Sequence, residues 1–171
     1  TALPPVVPVD RSVPIPASFE QERMWLLNAI YQGEPVYNEG YPLVLRGLVN
    51  TEALLAAVQG LLDRYEALRT RLHWDGNQLM QVIDPVGSLT VQFEDWSGQG
   101  RDLDELEAEA AERATALLAA PYDLLQDHPC RALVIRLSET VHAWCMAMHH
   151  STGDNWSLSH VMPADLMALY E

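Results

Sequence analysis

Two adjacent histidines, with an aspartate four residues after the second, are the side chains here best suited to chemistry: His149, His150 and Asp154. An imidazole accepts a proton near neutral pH, because its unperturbed pKa is about 6.5. A nearby carboxylate can orient a histidine, or anchor an arginine that holds the loop. Two readings compete at each histidine: a packing residue at the end of an apolar strand, or a base presented to a cleft. Metal binding fits poorly. Neighbouring strand residues diverge, unlike two histidines at helical i, i+4 spacing. Cys130 and Cys145 do not have the C-x-x-C spacing that would add ligands.

The elements around these residues decide where they point. Val141 to Met148 reads V-H-A-W-C-M-A-M, an apolar run interrupted only by His142 and suited to a buried strand. A strand sends successive side chains to opposite faces. If it reaches residue 150, His149 continues the face of Ala143, Cys145 and Ala147. His150 continues the face of Trp144, Met146 and Met148, or emerges into a cleft at the strand end. Gly153 can relax the turn before Asp154. Trp156 to Tyr170 reads as helix. Pro163 requires that helix to restart, with the proline in its first turn, or to kink, because a mid-helix proline costs about 3 kcal/mol.

Upstream, residues 1–17 hold five prolines, Pro4, Pro5, Pro8, Pro14 and Pro16, and read as an extended lead-in or linker. Ser18 is a candidate N-cap with Gln21 as its capping-box partner, and Gly33 is expected to end the helix that follows. Tyr41 to Val49 reads as a strand with Pro42 at its start. Asn50 can cap a helix whose apolar positions, Leu54, Leu55, Val58, Leu61, Leu62 and Tyr65, follow the i, i+3, i+4, i+7 rule. Leu68 to Trp74 and Leu79 to Ile83 read as a hairpin turning at Asp75-Gly76-Asn77. A strand is expected at Thr90–Glu94, an acidic-sided helix over 102–119 stopped by Pro121, and a strand at Arg131–Leu137. Ser138-Glu139-Thr140 turns that strand back antiparallel into the histidine-bearing one.

Composition bounds the function. A chain of 171 residues, 49% hydrophobic, can bury one domain core. Its net charge of −14 argues against nucleic acid, which needs clustered Lys and Arg. No stretch approaches the roughly 20 apolar residues of a membrane span, and no signal peptide is visible. Two cysteines, one in an apolar strand, read as a reducing, cytoplasmic setting without a disulfide framework. The start at Thr1 reads as a processed or excised piece.

Four stretches, in order, resemble the condensation domains of non-ribosomal peptide synthetases. Residues 18–27, S-F-E-Q-E-R-M-W-L-L, look like the family's S-x-x-Q-x-R-x-W-x-L. Residues 64–70, R-Y-E-A-L-R-T, look like R-H-E-x-L-R-T. Pro121-Tyr122-Asp123-Leu124 resembles P-F-D-L, and His149 to Asp154 matches H-H-x-x-x-D. The resemblance covers about residues 13 to 171.

The resemblance implies an α+β, chloramphenicol acetyltransferase-like αβ sandwich. Residues 18–171 would form one lobe, the N-terminal half, of a two-lobed V-shaped domain whose C-terminal lobe is absent. It implies a carrier-bound acyl or peptidyl donor transferred onto the amine of a carrier-bound aminoacyl acceptor. His150 would be the catalytic histidine, as base or positioning group. His149 would be structural. Asp154 would anchor the loop through Arg64, with Arg69 in support. No intrinsic cofactor is implied; phosphopantetheine thioesters arrive on carrier proteins. Partners would be those carriers, the missing lobe and adjacent synthetase domains, with self-association through an apolar inter-lobe face. The isolated piece is expected to fold without being competent in catalysis. Asn155 stands where the family has glycine and Tyr65 where it has histidine, leaving a divergent substrate or reduced activity open. Epimerisation, ester formation or a non-catalytic recruiting module are the alternatives. Tyr37-Asn38 and the R-x-E-x-L-R-T string favour ordinary condensation over epimerisation.

Overall fold

A computed structural model describes residues 5, 7–31 and 34–171. Pro4 of the lead-in and Gly33, expected to end the first helix, lie outside the described residues. Elements follow in chain order as β1 Ile15–Pro16, α1 Phe19–Ile30, β2 Asn38–Arg46, α2 Thr51–Arg64, β3 Thr70–Trp74, β4 Leu79–Ile83, β5 Gln92–Asp95, α3 Leu103–Ala119, β6 Cys130–Arg136, β7 Val141–His149 and α4 Met162–Tyr170.

β7 is buried at every residue. It lies inside a four-stranded sheet of order β2–β7–β6–β5, antiparallel to both of its neighbours. Helices cover both sheet faces, which is why the strand reads as a continuous apolar run. Trp144, Met146 and Met148 face Leu54, Val58, Leu61 and Leu62 of α2 and Met162 and Leu166 of α4. Ala143, Cys145 and Ala147 face Leu106, Ala110, Ala114 and Leu117 of α3. The side chains toward α3 are small, so that helix lies close: Cys145 Sγ is 3.9 Å from the Ala114 carbonyl. Gly40 completes the close approach. A Cβ there would stand 2.2 Å from the Met146 carbonyl and 2.6 Å from Leu118 Cδ2.

The helix starts follow their caps. Ser18 and Gln21 form the full capping box on α1, and Asn50 and Asp102 cap α2 and α3. The carbonyls at the end of α3, Leu118 O and Ala120 O, accept from Asn38 Nδ2 at 2.7 and 2.9 Å. β5 pairs parallel with β6, and the chain between them carries α3. A second, three-stranded sheet of order β1–β4–β3 holds the hairpin at Asp75-Gly76-Asn77.

Several boundaries differ from the sequence reading, β2 also ending early, at Arg46. β2 begins at Asn38, because residues 38–40 pair with the end of β7. Pro42 therefore sits inside the strand, tolerated because β2 is the sheet edge. A 3₁₀ turn, Glu66–Arg69, precedes β3, with Thr70 Oγ1 donating to the Glu66 carbonyl at 2.7 Å. β5 starts at Gln92. The last helical run contains a widened turn, Ser157–Val161, in which Met162 N–H donates to the Ser157 carbonyl. That turn places Pro163 in the first turn of α4, where its missing N–H costs little. No helix of the described residues is long and apolar enough to cross a membrane.

Candidate active site

The two histidines are fixed by backbone bonds to both sides of β7. His149 N–H donates to the Pro129 carbonyl at 2.9 Å, and His150 N–H to the Tyr37 carbonyl at 2.8 Å. Thr152 closes the turn, its N–H and Oγ1 reaching the His149 carbonyl at 3.1 and 3.0 Å. The side chains diverge as the strand period requires.

His149 is sealed on the α3 side, between Tyr122 and Tyr37. Its Nδ1 accepts from Ser151 N–H at 3.2 Å, so the proton of the neutral ring sits on Nε2. Burial, with a smaller contribution from His150, pushes its pKa down to about 4. A group so placed stays neutral and serves structure.

His150 emerges on the other face. Its side chain is 34% exposed, and Nδ1 lies 3.0 Å from Glu39 Oε1. That contact has ion-pair distance without the angle of a directed hydrogen bond, and Nδ1 and Glu39 Oε2 are buried. Among the described residues, Nε2 has no hydrogen-bond partner and is not fully buried. An imidazole with one shielded nitrogen and one free nitrogen can take or steer a proton at the strand tip. Among the described residues, the cavity beside this loop, about 70 Å³, is lined by Tyr65, Ala67, Leu68, Thr152, Ser157, Val161 and Met162, and not by His150.

Asp154 holds the loop, but not through an arginine. Its Oδ1 accepts from Ser157 N–H at 2.9 Å and Ser157 Oγ at 2.8 Å, capping the helical run at Asn155. Those bonds hold its carboxyl below the usual range. The expected Asp154–Arg64 link is corrected: Arg64 Nε pairs with Asp165 Oδ2 of α4 at 3.0 Å. Tyr65 hydroxyl donates to the same carboxylate oxygen. The reason is geometric. The last turn of α2 lies along α4, and Asp165 lies within reach there. Arg69 is buried and donates to the backbone carbonyls of Asp84 and Asp63, stitching the end of α2 to the segment after β4 and not to Asp154.

Asn155 lies in the first turn of the last helical run. Its amide oxygen accepts from the Tyr41 hydroxyl. Gly153 provides space: a Cβ there would stand 2.8 Å from Met148 Cε. Sequence reasoning missed Glu39, Asp165 and Tyr41. Glu39 carried a weak signal, as the acidic residue two before the strand read from Tyr41. Asp165 carried none beyond its place on an amphipathic helix.

A family model described as a condensation domain matches residues 13–171. A linear gramicidin synthase of Brevibacillus parabrevis is 34% identical over 97% of this chain. Phosphinothricin tripeptide synthetase PhsC of Streptomyces viridochromogenes is 34% identical over 94% of it. The chain spans 2% of the first protein and 14% of the second. The starter condensation domain of rhizomide synthetase RzmA superposes with a TM-score of 0.78 at 20% identity, covering 92% of this chain and 37% of that one. A complex of the X-domain and OxyB from teicoplanin biosynthesis gives a TM-score of 0.79 at 28% identity, covering 99% and 35%.

Proposed function

Because the chain belongs to the condensation-domain family, we propose that it supplies the His150-bearing lobe of a peptide-bond-forming domain of a non-ribosomal peptide synthetase. The carrying observation is the half-buried imidazole at the tip of β7, with Nε2 free. The α-amine of a carrier-bound aminoacyl acceptor attacks the thioester carbonyl of a carrier-bound donor. A C–N bond forms, the C–S bond breaks, and the donor's phosphopantetheine thiol leaves with a proton. His150 accepts or orients the amine proton. Such proton transfer contributes about 10²–10⁴-fold, and positioning can contribute as much. Asp154, bound to Ser157, is architectural.

The remaining wall of the channel comes from a second lobe, so residues 1–171 alone do not turn over. The test is His150→Ala in the complete domain with loaded donor and acceptor carriers. Abolished condensation with carrier binding retained supports this reading; unchanged condensation overturns it. A second reading, a non-catalytic module that recruits a partner enzyme, is favoured by likeness to an X-domain solved in complex with OxyB and by Asn155 at the family's glycine. Unchanged condensation in His150→Ala would select it.

A further inference from the structure

The strand register sets Glu39 of β2 opposite Met148 of β7, one diagonal step from His150 on the same face. Its carboxylate therefore reaches the imidazole from the sheet edge, with Oε1 3.0 Å from Nδ1. Among the described residues, neither Nδ1 nor Glu39 Oε2 has another partner, and both atoms are buried. A buried polar atom left unpaired is costly, so a small rotation that lines up the pair is favourable. Hydrogen bonds at catalytic sites are often misaligned until substrate is bound. The competing carboxylate, Asp154, is occupied by Ser157. His149, the adjacent titratable ring, turns to the opposite face and stays neutral.

We propose that Glu39 is a positioning residue for His150: its carboxylate accepts the Nδ1–H, fixing the tautomer whose bare Nε2 faces the substrates. A histidine's reactive nitrogen is set by the bond its other nitrogen makes. A neutral imidazole free in water prefers the opposite tautomer, with the proton on Nε2, so the effect has a direct signature. Catalysis by this pair rests on the condensation reading; the tautomer does not.

The test is two-bond ¹H–¹⁵N correlation of the His150 ring in residues 1–171, near pH 9, about 2.5 units above the ordinary histidine pKa. Wild type should carry the proton on Nδ1, Glu39→Leu should shift it to Nε2, and Glu39→Gln, whose amide oxygen still accepts, should retain the wild-type form. In the complete domain, Glu39→Leu should lower kcat by about 10–100-fold with KM for the acceptor unchanged, and Glu39→Gln should recover part of that loss. A wild-type ring protonated on Nε2, or a tautomer unmoved by Glu39→Leu, overturns the proposal whatever the activity. Failure of His150→Ala to abolish condensation would sink the functional reading while leaving this readout intact.

Discussion

The ring of Tyr122 stands edge-on to the imidazole of His149, with centroids 6.0 Å apart and planes at 77°. Its hydroxyl donates to the Ala147 carbonyl at 3.0 Å, and the Arg131 guanidinium lies 3.8 Å over its ring. One side chain thus walls the first histidine and ties the segment after α3 to β7. Burial pushes the phenol pKa up, so it remains a donor. Tyr122→Phe keeps the wall but removes one of two donors to the Ala147 carbonyl, which still pairs with β6, and should cost about 0.5–1.5 kcal/mol. Tyr122→Ala should cost about 3–5 kcal/mol. Urea denaturation of both variants checks the order; equal losses would show that the hydroxyl, not the ring, carries the effect.

His149 makes stability depend on pH in a stated direction. Its folded pKa, about 4, lies below the ordinary 6.5. Between these values the unfolded chain binds the extra proton, so folding is weakened as pH falls. The contribution is fully present above about 6.5 and is lost on the way down to about 4, at most about 3 kcal/mol. His142, buried and lowered mainly by burial, adds in the same direction. Denaturation midpoints of wild type and His149→Gln should converge between pH 7 and 4 if this holds. Asp84, held low mainly by Arg71, acts in a lower window: its contribution is present above the ordinary 3.8 and is lost as pH falls below it.

Both cysteines are free and buried, and burial pushes Cys130 up to about 12 and Cys145 up to about 11. The thiolate is the reactive form, so at pH 8 neither should react in the folded chain. A thiol reagent should find no cysteine before denaturation and both after it. Rapid labelling of either in the native state would contradict the packing of β6 and β7 described above.

Much of this was legible in the sequence because its signals were local. Ser18-x-x-Gln21 is a capping box within four residues, and the apolar run of Val141 to Met148 is a strand sandwiched by helices. Proline's missing N–H left Pro163 either a restart or a kink, and the widened turn Ser157–Val161 decides for the first turn of α4. The ion pairs were not legible. The motif offered Arg64 only Asp154, and it is the packing of α2 along α4 that brings Asp165 to it instead. Glu39 meets His150 across a strand pair whose register depends on Gly40 passing close to Met146. Such meetings are set by tertiary geometry, which residue type and spacing do not encode.

The Arg64 correction separates two variants that the motif would group together. Arg64→Ala removes an exposed pair with Asp165, worth about 0–1 kcal/mol, and should leave the histidine loop unchanged. Asp154→Ala removes the acceptor of Ser157 N–H and Oγ, and should fray the start of the last helical run. Asp154→Asn keeps an acceptor and should retain most of the order. Amide exchange at Ser157 and Leu158 reads the difference: faster in Asp154→Ala, near wild type in Asp154→Asn and Arg64→Ala. Loop exchange accelerated by Arg64→Ala would restore the arginine anchor.

Asn155 tests whether the side chain that follows the Asp154 cap restricts the site. Its amide oxygen takes the Tyr41 hydroxyl, bridging the edge strand β2 to the start of the last helical run. Tyr41 and Asn155 are both surface residues, so the bond contributes modestly, about 0.5–1.5 kcal/mol. A double-mutant cycle of Tyr41→Phe and Asn155→Ala should show coupling of that size, because each single change removes the same bond. In the complete domain the two changes should part company. Asn155→Gly removes side-chain volume at the start of the last helical run and should raise turnover if that volume narrows the acceptor's path. Tyr41→Phe breaks the bridge but keeps the volume of both residues, and should leave turnover near wild type. Equal turnover in Asn155→Gly and wild type would mean that the substrates pass His150 by another side, and that Asn155 serves only to hold β2 to the loop.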